Sequence, residues 1–367
     1  MIRGGYEPGI AIPPGETLQE YLDTRGMTQA ELAKRLGLVP KTINEIVKGK
    51  APISPATALA LESVFGTPAR FWVSLEANSR ETKARLEGQR SVAEDIEIAR
   101  LFPYAALVQI GAVAATRKPG ERVINLRGFF GVAQLGYVPA LLPAAFRRQP
   151  RDTASPHALA AWLRVGELMS AKVETEPFNA QRLRSLLATM RSLALNPEAE
   201  DVPGRLKELC ASAGVALVFV PRLPRTYVNG ATRWVSSDKV LVQLSLSPPY
   251  ADVIWFNLFH EIGHVLLHAK KEVYITEESN AGQSDQDERE READRFASEG
   301  LLPNTDYRRY LQKNKVTSIT VRQFARDMGI HPCVVVGRLQ HDKKLPFSRM
   351  NDLRPRLSWK PDRLGCE

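Results

Sequence analysis

Apolar residues recur at helical spacing through roughly the first eighty positions, and again between residues 91 and 210. Leu18, Tyr21 and Leu22 share one face of a first helix, which Gly26 closes. Leu32, Ala33 and Leu36 give a second helix its inward face. Thr28 stands at its start with Glu31 three residues on, a capping-box pattern, and Gly37 offers a left-handed exit. Pro40 suits the first turn of a third helix, from which Ile43, Ile46 and Val47 point inward before Gly49 ends it. The stretch from 91 to 210 is helical, broken by Pro103, Pro119, Pro139, Pro150 and Pro197, with Ala158, Trp162, Val165 and Leu168 on one buried face. The pattern then changes. Short apolar runs at 215–220, 230–235 and 240–246 read as strands, the last alternating in part. Two helices follow, WFNLFHEIGHVLLH at 255–268 and DEREREADRFASEGLLP at 287–303, the latter with Phe296, Ala297, Leu301 and Leu302 on its apolar side. A further helix pair spans 318–344 across Gly329. The pattern predicts a mainly α chain with a small β-sheet, an α+β fold.

A short helix, a glycine turn and a second short helix make a helix-turn-helix, whose second helix enters the major groove of DNA. The outward positions of that helix are Lys41, Thr42, Asn44, Glu45 and Lys48. Asn pairs with adenine, Lys with guanine or phosphate, and Thr packs on a thymine methyl. Gln29, opening the preceding helix, is placed to bond a phosphate. A helical hairpin with a polar face shares this spacing, so the wider wording matters. The first 85 residues or so, with TINEIVKGK and GTPARFW among them, resemble the HigA-type antitoxins, a branch of the Cro/CI-like helix-turn-helix family. Val39 stands where that family usually has a Ser or Thr cap, a loss of about 1 kcal/mol. The resemblance implies a homodimer on a palindromic operator DNA, repression of its own toxin–antitoxin operon, and a cognate toxin that is a basic RNase-like protein.

The helix at 255–268 carries His260-Glu261-Ile262-Gly263-His264. Histidines at i and i+4 sit on one face and can reach a single zinc, with Glu261 beside them as a proton acceptor. Three fixed positions recur by chance, but strands directly precede this helix and carboxylates follow it. Glu288, Glu290 and Glu292 compete for third ligand. Glu290 shares a face with Asp294, so Glu290 can bind zinc while Asp294 accepts a hydrogen bond from a ligand histidine. Glu292 has Phe296 at i+4 and, with Glu288, reads as solvated. His268 lies about 12 Å along the axis from His260, too far for one zinc, so it packs or supports the site from outside. The HEIGHVLLH helix, EREADRFA…LLP and ATRWVSSDKVLVQLSL resemble the ImmA/IrrE family of metallopeptidases. That resemblance implies a zinc-dependent endopeptidase with His260, His264 and Glu290 as metal ligands and Glu261 as general base for a water the zinc activates. Tyr227, Tyr274 and His331 are candidate oxyanion donors.

Composition adds limits. Neither the ordinary balance of 44% hydrophobic and 25% charged residues nor the pattern suits a disordered chain. An uncharged stretch such as Tyr104 to Thr116 falls short of the roughly 18 apolar residues of a membrane helix, and the start lacks a signal-peptide pattern. Three scattered cysteines make no disulfide framework, so a cytoplasmic protein is expected. Residues 311–367 carry 12 basic and 5 acidic side chains, most of the net +9. Four domains are expected: 1–85 helix-turn-helix, 86–205 helical linker, 206–310 zinc metallopeptidase-like (zincin-like α+β), and 311–367 a basic helical subdomain that resembles a second helix-turn-helix. The expected function is a DNA-binding antitoxin and autorepressor carrying a zinc-dependent endopeptidase domain that acts on a protein or peptide. The alternative is a non-catalytic regulator with a structural or sensory metal site.

Overall fold

The computed structural model describes residues 10–142, 155–268, 274–277, 285–313 and 315–364. The chain is mainly helical with one small sheet, as the pattern predicts, and divides into two compact units, Met1–Asp95 and Ile96–Glu367.

The first unit is built from α1 (Pro14–Thr24), α2 (Gln29–Leu36), α3 (Pro40–Val47), α4 (Pro55–Phe65) and the start of α5 (Ala69–Ala99). Leu18, Leu22, Leu32, Ile43, Leu61 and Trp72 are sealed in its core. Thr28 caps α2, its side chain accepting from Glu31 N at 3.1 Å, and Gly37 ends α2 at φ 68°. Only half of the expected box forms, because the Glu31 carboxylate takes Arg35 one turn on, at 2.6 Å. Gly15 lets α1 lie against α3. A Cβ there would sit 2.0 Å from the Ile46 carbonyl oxygen.

In the second unit, α6 (Tyr104–Ile110), α7 (Pro119–Phe130), α8 (Val138–Leu141), α9 (Pro156–Ala171), α10 (Ala180–Leu193) and α11 (Val202–Ala211) precede β1 (Val215–Val220), β2 (Val228–Trp234) and β3 (Val240–Ser245). Then come α12 (Ala251–Leu267), β4 (Tyr274–Glu277), α13 (Asp285–Leu301), α14 (Asn304–Lys313), α15 (Ser318–Asp327) and α16 (Pro332–His341). The sheet order is β1-β3-β2-β4, with β1 parallel to β3 and β2 antiparallel to both its neighbours. All six residues of β3 are buried rather than alternating, because helices cover both faces. On one face Gln243 donates to Trp162 O of α9 at 2.8 Å, and Gly166 of the same helix leaves room for it. On the other, Thr232 reaches Glu261 of α12.

Helices α12 and α13 meet through small residues. Gly263 faces Ala293 and Gly300 faces Phe259, and a Cβ on Gly263 would come within 3.3 Å of the Ala293 Cα. The end of the chain pins the start of α12. Ala251 N donates to Pro355 O and Leu357 N to Pro249 O, while Arg354 grips the buried Asp252 carboxylate at 2.8–3.0 Å. Helix α16 is largely buried against α12, so the second helix of the 318–344 pair belongs to the core. Cys210 and Cys333 are free and fully buried, and burial pushes the Cys210 thiol up to about 12 and Cys333 higher still. Among the described residues no helix is long and apolar enough to cross a membrane.

Candidate metal centre

Nearly every residue of α12 is buried, which an apolar helix packed between the sheet and helices α13 and α16 requires. Among its buried polar residues, His260, Glu261 and His264 are at most 1% exposed, while Asp252 and Asn257 are slightly more open. One turn apart, the two imidazoles aim Nε2 at the same point, 2.9 Å from one another. Glu290 reaches that point from α13, its Oε2 3.2 Å from His260 Nε2 and its Oε1 3.4 Å from His264 Nε2. Asp294, one turn further along α13, meets His260 Nδ1 at 2.9 Å. The four side chains named from the sequence as ligands and support therefore converge.

Glu261 lies beside these ligands, close enough for its charge to act on His260, and is held against the sheet. Thr232 Oγ1 donates to its Oε2 at 2.7 Å, and Gly230 leaves the space its other oxygen fills, since a Cβ there would lie 2.3 Å from Oε1. Neither residue was visible in the motif, because only the register of β2 puts them under α12. His268 also has a partner: its Nδ1 is 3.0 Å from His264 Nδ1, and its Nε2 is 3.1 Å from Glu292 Oε2. Glu292 is exposed, as expected, and in addition pairs with His268 across the α12–α13 contact, a link that a reading of its own helix face does not show. Glu288 is exposed, as expected.

The electrostatics ask for a cation. Burial opposes charge on His260, yet hydrogen bonds with Asp294 and Glu290 outweigh it and push its pKa up to about 10. Burial likewise opposes charge on Glu290, but His260 and His264 hold it down to about 2. Buried Glu290 Oε1 has no hydrogen-bond partner, although it faces His264. Two convergent imidazole nitrogens and an acceptor oxygen left over fit a divalent ion, and a His, His, Glu donor set with room for a further ligand suits zinc. Among the described residues, His260, His264 and Glu290 are the one group of side chains able to hold a metal, their ligand atoms all within 4.8 Å.

The oxyanion candidates do not assemble into one feature. His331 caps α16, its Nδ1 accepting from Cys333 N at 3.1 Å, and Tyr227 lies under the Arg222 guanidinium. The Tyr274 side chain lies outside the described residues. In the first unit, Lys41 and Lys48 are exposed on α3, and Thr42, Asn44 and Glu45 are half-buried beside them. Lys41 Nζ is 3.8 Å from the Glu45 carboxylate, and Gln29 donates its amide to Gln19 Oε1 at 3.0 Å.

A helix-turn-helix unit and a sheet-backed helix bearing His, Glu and His define a DNA-binding regulator with a metallopeptidase-like domain. Residues 6–72 match the helix-turn-helix family and residues 254–339 the IrrE N-terminal-like domain. The chain is 43% identical over 76 residues to virulence-associated protein I of Dichelobacter nodosus, covering 20% of this chain and 70% of that protein. It is 32% identical over 63 residues to the uncharacterized HTH-type transcriptional regulator YddM of Escherichia coli (strain K12), covering 17% and 67%. A solved structure of the Pseudomonas aeruginosa antitoxin HigA with the higBA promoter is similar at 30% identity, covering 23% of this chain and 94% of that one, with a TM-score of 0.22. The chain belongs to the helix-turn-helix family of DNA-binding regulators, and it carries an IrrE N-terminal-like domain.

Proposed function

We propose that this chain is an antitoxin-type autorepressor that carries a zinc-dependent endopeptidase. The convergence of His260, His264 and Glu290 at one buried point, with the Glu261 carboxylate fixed next to it, is the observation that supports the enzymatic half. Zinc held there would make a water acidic at neutral pH and polarise a peptide carbonyl. Glu261 then supplies the proton traffic: Thr232 occupies Oε2, and Oε1 takes a proton from the attacking water and delivers it to the departing amide nitrogen. Asp294 keeps His260 in the tautomer whose Nε2 lone pair faces the metal.

The DNA-binding half reads an operator through α3. Lys41 and Lys48 meet phosphate or guanine, Asn44 meets adenine, and Thr42 and Glu45 shape the rest of the reading surface. A homodimer on a palindrome, control of a toxin–antitoxin operon, a basic RNase-like toxin and a cytoplasmic setting complete this reading, supported by the HigA likeness. A gel shift on the protein's own promoter tests it: Lys41→Ala/Asn44→Ala is expected to lose at least tenfold in affinity, from two base contacts at about 1–3 kcal/mol each. Binding at the wild-type level would overturn it.

The zinc centre is tested by mass spectrometry of chelator-free protein. About one zinc per chain, lost in His264→Ala, is expected of a three-ligand site. Complete burial of Glu261 favours one second reading, a metal site that senses or stabilises without hydrolysis. Glu261→Gln separates the two. It keeps zinc and operator binding in both, abolishes peptide cleavage in the first, and changes nothing in the second.

A further inference from the structure

The two histidines at the metal point differ in how they are held. His260 Nδ1 meets a carboxylate directly, Asp294 at 2.9 Å, whereas His264 Nδ1 meets another imidazole, His268, at 3.0 Å. Beyond His268 stands Glu292, 3.1 Å from its Nε2. Counting protons fixes every role in this row. If His264 offers its Nε2 lone pair to a metal, its one ring proton is on Nδ1 and must be donated to His268 Nδ1. That places the His268 proton on Nε2, where it is donated to the Glu292 carboxylate. The count closes with both imidazoles neutral and no donor facing a donor.

We propose that His268 and Glu292 are positioning residues that fix the tautomer and ring orientation of His264 through an imidazole relay, doing for the second ligand histidine what Asp294 does for the first. The inference rests on the zinc reading above. The asymmetry follows from α12 itself. His264 Nδ1 points along the helix toward its C-terminal end, where His268 is the next residue on the same face. Glu292 of α13 meets the far side of His268, at Nε2. The His268 side chain is 4% exposed and that of Glu292 46%, so the inner link is dry and the outer one is partly screened by water. His268 is therefore the stronger link.

The measurement is zinc affinity by chelator competition in the full chain, alongside the histidine ring nitrogen spectrum of the zinc-loaded protein. His268→Ala is expected to weaken zinc about 10- to 100-fold, the range seen when such supporting partners are removed. His268→Asn, whose amide oxygen can take the place of Nδ1 as acceptor, is expected to recover most of that loss. Glu292→Ala is expected to give a smaller loss than His268→Ala. The spectrum is expected to show His264 protonated at Nδ1 in the wild type and in His268→Asn. His268→Ala binding zinc as tightly as the wild type would sink the relay. So would His268→Asn as weak as His268→Ala, which would assign His268 a packing role. A wild-type chain that takes up no zinc would fail the parent reading and the relay together, an outcome distinct from both.

Discussion

At Gly230 a missing side chain decides where a carboxylate can lie. A Cβ would stand 2.3 Å from Glu261 Oε1, closer than any real contact allows, while Thr232 two residues on holds the other oxygen. Gly230→Ala is expected to displace Glu261 and to cost about 1–3 kcal/mol in stability from overpacking. Zinc content is expected to stay at one per chain, because Glu261 is not among the three ligands His260, His264 and Glu290. Denaturant melts and metal analysis check both. Part of this scale was legible in the sequence: the i, i+4 pair His260 and His264 follows from helix geometry, and Glu290 stands out among three glutamates by Asp294 one turn on and by the family resemblance. Thr232 and Glu292 were not legible. Each acts on a residue 24 to 29 positions away across a packing interface, and no periodicity within one element records such a pairing.

Helix ends follow from local chemistry. Thr28 caps α2 and Gly37 closes it, as local chemistry dictates, while Val39 leaves α3 uncapped with an extended backbone suited to a cap. Val39 is also 62% exposed and contributes little to the core. Val39→Thr is expected to add about 1 kcal/mol to the stability of the first unit, read as a shift in its urea midpoint. The partial alternation expected of β3 failed for a plain reason. A strand covered by α9 on one side and α12 on the other has no face left for water, and Gln243 survives there only by bonding Trp162 O. Strand β4 escaped notice because four residues are too few to show a period.

For the molecule as a whole, two compact units and one metal point predict how stability is distributed. All three proposed zinc ligands belong to the unit Ile96–Glu367, so on the proposed function a hundredfold excess of zinc over its dissociation constant is expected to stabilise that unit by about 2.7 kcal/mol. Calorimetry is expected to show its transition rising with zinc and falling with chelator, while the transition of Met1–Asp95 stays fixed. One zinc-independent transition for the entire chain would contradict this division. The enclosed thiols extend the argument from equilibrium to time. Cys210 and Cys333 sit in the same core as α12, with ionisation suppressed, so an alkylating reagent reaches them only when that core opens. In a chain carrying Cys366→Ser, the labelling rate becomes a clock for those openings. Native protein then reports, without any denaturant, how often the peptidase-like unit comes apart and how far a bound ion slows it.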